Sequence, residues 1–112
     1  MPQQAIYAEE LDYLVRYVRM APLYFVPLRD AAERIAGSGS SETEVQQVTL
    51  RLIGDMLDQG VRIGDMSPRD GEGVLPWDLS KEDALARVAD EMTRYEDPVD
   101  FIDICWFGVD AV

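Results

Sequence analysis

Apolar positions recur along this chain first at helical spacing and then, past residue 60, in shorter runs of a different rhythm. From Glu9 to Met20 the apolar residues Leu11, Leu14, Val15 and Val18 form one stripe, the spacing that turns one side of a helix toward a core. Glu9, Glu10 and Asp12 then fall in the first turn and Arg16 and Arg19 in the last, which suits the helix dipole. Pro22 ends this helix. Leu23-Tyr24-Phe25-Val26, bracketed by Pro22 and Pro27, reads as a buried connector. Pro27 suits the first position of a second helix, where the N–H it lacks would have no partner. Leu28, Ala31, Ala32 and Ile35 give that helix its inner face, and Gly37 offers a left-handed cap at its end.

The third helix has the strongest pattern. Ser41 or Thr43 can cap it, and Val45, Val48, Leu52, Ile53, Met56 and Leu57 follow at steps of three and four before Gly60 stops it. Residues 61–66 and 74–78 then read as a β-hairpin around Pro68 and Asp70-Gly71. Pro76 cannot donate to a ladder, so the second strand should lie at an edge or end there. Ser80 caps a fourth helix with Glu82 and Asp83 in its first turn. Ala84, Leu85, Val88, Ala89 and Met92 form its stripe, and Tyr95 extends it. Asp97-Pro98 breaks it. Ile104 to Val109 is apolar on both alternating faces and reads as a buried strand pairing with 61–66 or 74–78. The expected architecture is α+β and helix-rich, in a single domain over residues 1–112. Three helices and a hairpin are arranged as in a winged helix, followed by a fourth helix and a short C-terminal strand.

Charge changes what such a fold can do. Asp and Glu outnumber Lys and Arg 22 to 10. Residues 1–56 hold eight acids against five Arg, and residues 57–112 hold fourteen against five cations. A field of that sign repels nucleic acid and anionic membrane and favours basic protein surfaces. A winged helix usually reads DNA with its third helix. Here the outer face of that helix offers Glu42, Glu44, Gln46, Gln47, Arg51, Asp55 and Asp58, with Arg51 the lone cation where phosphate contacts need several. A DNA-binding or transcription-associated winged helix, building its positive surface as a dimer, is therefore the second reading.

Hydrophobic residues make up 47% of the chain, enough for a folded core rather than a disordered acidic tail. No apolar run is long enough to span a bilayer. Met1-Pro2-Gln3-Gln4 does not begin a signal peptide, and Cys105 has no second cysteine to pair with. A cytoplasmic location is the expectation. Histidine is absent, which removes Ser/His/Asp and Cys/His catalysis. Gly37-Ser38-Gly39-Ser40-Ser41 lacks the lysine of a phosphate-binding loop, the only lysine being Lys81. No catalytic residue, metal or cofactor is assigned. A small ligand-binding protein or enzyme using a carboxylate pair near Trp77 is a third reading.

Candidate contact residues lie in the acidic half. Asp97, Asp100 and Asp103 recur every third residue but lack the spacing and central glycine of a calcium loop. They read as a solvated acidic face able to meet a basic partner. Trp77 and Tyr95 are candidate apolar anchors, since such side chains are frequent interface hot spots, and Asp78 stands beside Trp77. Trp106 and Phe107 fall on opposite faces of their strand, so one must turn inward.

Leu50 to Gly60 (LRLIGDMLDQG), Trp77 to Val88 (WDLSKEDALARV) and Ile104-Cys105-Trp106-Phe107 together resemble a group of small acidic bacterial proteins, actinobacterial ones above all. That group includes immunity factors encoded beside polymorphic toxins. The resemblance covers about residues 45–108 and carries no catalytic signature. It implies a protein that binds a cognate toxin and blocks its active site.

Overall fold

A computed structural model describes residues 2–67, 73–94 and 104–109, with the backbone alone for residues 2–4. The described residues form four helices and a four-stranded antiparallel sheet, in the order α1 (Pro2–Met20), β1 (Leu23–Tyr24), α2 (Phe25–Ala36), α3 (Glu42–Asp58), β2 (Arg62–Met66), β3 (Val74–Pro76), α4 (Lys81–Arg94) and β4 (Trp106–Gly108). The fold is α+β and helix-rich, with three helices and a hairpin in the expected order, then the fourth helix and the last strand.

The helices begin and end for local reasons. Ser41 caps α3, its hydroxyl accepting from the Glu44 N–H at 3.1 Å. At the other end the Val61 N–H donates to the Met56 carbonyl and the Gly60 N–H to the Leu57 carbonyl. This crossed pair of bonds is the Schellman turn. It needs a positive φ at Gly60, which is 92°, and it turns the chain from α3 straight into β2. Ser80 caps α4 through the Asp83 N–H at 3.1 Å. Gly37 does end α2, but with φ 91° and ψ 169°, a positive-φ conformation open essentially to glycine alone and not the left-handed helical one.

Two boundaries differ from expectation. α1 starts at Pro2, not Glu9, and has no acid in its first turn, so Glu9, Glu10 and Asp12 lie in mid-helix. Leu23-Tyr24 is a strand rather than a connector, and α2 begins at Phe25 with Pro27 inside its first turn. Proline is tolerated there because the first-turn amides have no partner within the helix.

The sheet order is β1-β4-β2-β3. β4 is central, pairing Phe107 with both Leu23 and Ile63. These three side chains are all buried and make one apolar row facing the helices. The next row, Tyr24, Trp106, Gly64 and Pro76, lies on the opposite face of the pleat. Tyr24 and Trp106 meet there with ring centroids 5.6 Å apart. Phe107 is thus the inward residue of its pair. β3 is the outer strand, as Pro76 requires. Gly64 permits the close approach of β3, because a Cβ there would lie 1.9 Å from the Leu75 carbonyl oxygen.

The core is one cluster that includes Leu14, Phe25, Leu28, Leu52, Met56, Val88 and Phe107. Thr49, fully buried, donates its hydroxyl to the Val45 carbonyl at 2.7 Å. Cys105 is buried beside Ile104, and burial pushes its thiol well above the usual range, which suits a packing role over a reactive one. No helix of the described residues is long and apolar enough to cross a membrane.

Candidate partner-binding surface

The hairpin's last strand and the entry to α4 place an apolar ridge on the surface. Leu75 and Leu79 are 46% and 43% exposed, and Trp77 between them is partly buried against the core. The Trp77 N–H bonds to the Ile63 carbonyl at 3.0 Å, continuing the ladder one residue past β3. The indole is held from above by Arg87 of α4, whose guanidinium carbon is 3.7 Å from the ring centre. The indole N–H is turned away from solvent and meets no acceptor among the described residues. A partner would therefore meet the apolar surface of Trp77 rather than its donor. A shallow depression of about 180 Å³ runs beside it, lined by Val61, Ile63, Pro76, Trp77, Leu79 and Ala84 with Arg62 and Lys81 as its charged members.

Carboxylates surround this ridge. Asp78 and Glu82 are exposed, as are Asp83 in the first turn of α4 and Asp65, which sits opposite Leu75 in the β2–β3 register. The neighbouring cations are already engaged. Lys81 bonds both oxygens of Asp58 at 2.9 Å, Arg87 lies 3.5 Å from Glu91, and Arg94 is 2.7 Å from Asp90. Among the described residues, Asp65, Asp78, Glu82 and Asp83 meet no cation at ion-pair distance. The result is an apolar anchor in an uncompensated acidic rim.

Of the residues singled out from sequence, Trp77 and Asp78 lie in this surface. Tyr95, Asp97, Asp100 and Asp103 lie outside the described residues. Leu75, Leu79 and Asp65 were not singled out. Their signal was present in the run Leu75-Pro76-Trp77-Asp78-Leu79, where large apolar residues at alternate positions follow an edge-forming proline.

Most of the outer face of α3 is engaged within the fold, with Glu44 and Gln47 left exposed. Arg51 lies over the Tyr7 ring at 4.3 Å, and the Tyr7 hydroxyl donates to Asp55. Burial, reinforced by that carboxylate, raises the Tyr7 phenol well above its ordinary range. Glu42 takes a two-point contact from Arg29, and that hydrogen bonding holds its carboxyl below the usual range. Asp58 is bound by Lys81. A groove of about 480 Å³ lies between α1, the end of α2 and α3, lined by Tyr7, Ile35, Ala36, Glu44, Gln47, Val48 and Arg51. It contains one carboxylate, and the depression at Trp77 contains none. Neither brings a carboxylate pair together.

Comparison with protein-family models, curated proteins and solved structures finds no match to this chain.

Proposed function

We propose that this chain is a small acidic protein-binding module of the cytoplasm and, most specifically, an immunity protein that neutralises a cognate toxin by occluding a basic active site. The observation that carries the reading is the pairing of an apolar ridge, exposed Leu75 and Leu79 with partly buried Trp77 between them, with four carboxylates that meet no cation at ion-pair distance among the described residues. Such acids steer a cationic surface into place and exclude wrong partners. The apolar ridge then excludes water and lengthens the life of the complex. The overall charge of −12 acts in the same sense at longer range. A DNA-reading role is less well supported, because α3 presents Arg51 as its single cation and that side chain is stacked on Tyr7.

The test compares capture by three tagged forms from the native host: the wild-type chain, Leu79→Asp, and the triple reversal Asp78→Lys/Glu82→Lys/Asp83→Lys. All the altered positions are exposed, so the variants should fold. A basic protein held by the wild type, released from both variants, and inhibited when the purified wild-type chain is added back supports the reading. Equal capture by all three forms, or no effect on the captured protein's activity, overturns it.

A further inference from the structure

α1 carries a second apolar stripe on the side away from the core. Val15, Val18, Leu14 and Tyr7 face inward, while Ile6, Tyr13, Tyr17 and Met20 remain exposed, Tyr13 at 58% and Met20 at 79%. Their spacing places them along one side of the helix. Tyr13 and Tyr17 are already in ring contact, with centroids 6.3 Å apart. Val109, 41% exposed, shares a shallow surface with Met20 and extends the apolar patch at that end.

We infer that this stripe is a self-association surface, on which α1 of a second copy docks antiparallel. The evidence is the self-complementarity of the helix about Tyr13. Ile6 and Met20 each stand seven residues from Tyr13, so a two-fold axis there sets Ile6 of each copy against Met20 of the other and Tyr13 against Tyr13. Glu9 and Arg16 flank one side of the stripe, at four residues before and three after the centre. A two-fold axis keeps that flank on the same side in both copies and brings Glu9 of each copy to Arg16 of the other, twice. This is the pattern of an isologous contact, in which one patch complements itself. A parallel arrangement would turn this flank to opposite sides in the two copies and set Glu9 against the other flank, where Glu10 lies, with no Glu9–Arg16 contact.

Charge elsewhere permits this approach. Two chains of −12 repel, but residues 1–56 carry only three of those negative charges, from eight acids and five arginines. Arg16 is paired within its own helix to Asp12 at 3.0 Å, with both side chains open to solvent, a contact easily exchanged because exposed pairs are weak. On the other flank Glu10 is neutralised by Arg34, at 2.8 and 2.9 Å. A contact of one helix per copy falls below about 1,200 Å² of total buried area, the range of transient association. α1 packs on α2, α3 and β4, whereas α4 packs on α3. The stripe shares no residue with the Trp77 ridge, so the dimer does not depend on the reading proposed for that ridge.

Sedimentation velocity over a wide concentration series tests the inference. The wild-type chain is expected to pass reversibly from monomer to dimer. Tyr13→Arg should abolish the dimer, and E9R and R16E should each weaken it about tenfold or more, since either sets like charges face to face. An equimolar mixture of E9R and R16E should associate more tightly than either variant alone, because opposite charges then meet across the contact. Circular dichroism of each variant confirms folding, which substitution at exposed positions should preserve. A monomer at every wild-type concentration, a dimer unchanged by Tyr13→Arg, or a mixture no tighter than its components overturns it.

Discussion

Arg87 covers the Trp77 ring at 3.7 Å, so the side chain that leads the chain out of the hairpin is held down by the helix that follows it. The contact fixes the direction of the Leu75–Leu79 ridge relative to α4. It also shields a ring face that would otherwise be wet.

Arg87→Ala should cost about 0.5–1 kcal/mol, the worth of an exposed cation–π contact, with the Arg87–Glu91 pair adding little. Trp77→Ala should cost more, about 2–3 kcal/mol, because it also removes partly buried ring surface. Urea midpoints of the two variants read the order directly. A neutral Arg87→Ala would mean the stacking does not support the ridge.

Arg29 is 7% exposed and is held between Glu42 and Glu33, the latter at 3.5 Å. Glu42→Gln weakens its two-point contact with Glu42 and should destabilise by about 1–2 kcal/mol at neutral pH. Because the folded protein lowers the Glu42 pKa, this stabilisation is present above the ordinary glutamate value. It is lost as pH falls through the lower, folded value. Denaturation curves of wild type and Glu42→Gln should therefore converge on acidification; a gap that persists at strongly acidic pH would contradict the assignment.

Gly64→Ala and Gly60→Ala should differ in size because they fail for different reasons. A methyl at position 64 collides with the Leu75 backbone, where nothing flexible can yield. That variant should lose about 3 kcal/mol or the β2–β3 pairing itself. At position 60 there is open space, and the cost is only that of a positive φ, about 1 kcal/mol. Thermal melts of the two variants should fall in that order.

Tyr7 should remain protonated as pH passes the ordinary tyrosine value of about 10, since burial and Asp55 raise its pKa. A raised folded pKa means stability that is complete below the unfolded tyrosine pKa of about 10 and declines as pH rises beyond it. Tyr7→Phe removes that alkaline decline and the bond to Asp55, costing about 1 kcal/mol at neutral pH. Spectrophotometric titration of tyrosinate should show one fewer late-ionising group in the variant.

The elements most legible in the sequence were those whose ends carry their own chemistry. Ser41 and Gly60 bound α3, and Ser80 opens α4, because a hydroxyl or a positive φ meets a need local to the chain. The start of α1 was not legible. Gln3, Gln4 and Ala5 are good helix formers with no capping residue, and the acids at 9, 10 and 12 suggested a later first turn. β1 was hidden for another reason: Leu23 and Tyr24 form a strand only because Phe107 and Trp106 arrive beside them, a partner that no local pattern announces. The ridge was half legible. Trp77 and Asp78 stood out by type, whereas the exposure of Leu75 and Leu79 depends on β3 being the outer strand.

The place of β4 in the sheet also bears on how the protein is made. Translation delivers α1, β1, α2, α3, the hairpin and α4 before residues 106–108 emerge from the ribosome. Until then β1 and β2 have no common neighbour, and Leu23 and Ile63 lack the ring that later covers them both. The nascent chain thus passes through an interval in which the helices can associate while two strand edges stay open, the stage at which chaperones or an early-bound partner would find most to hold.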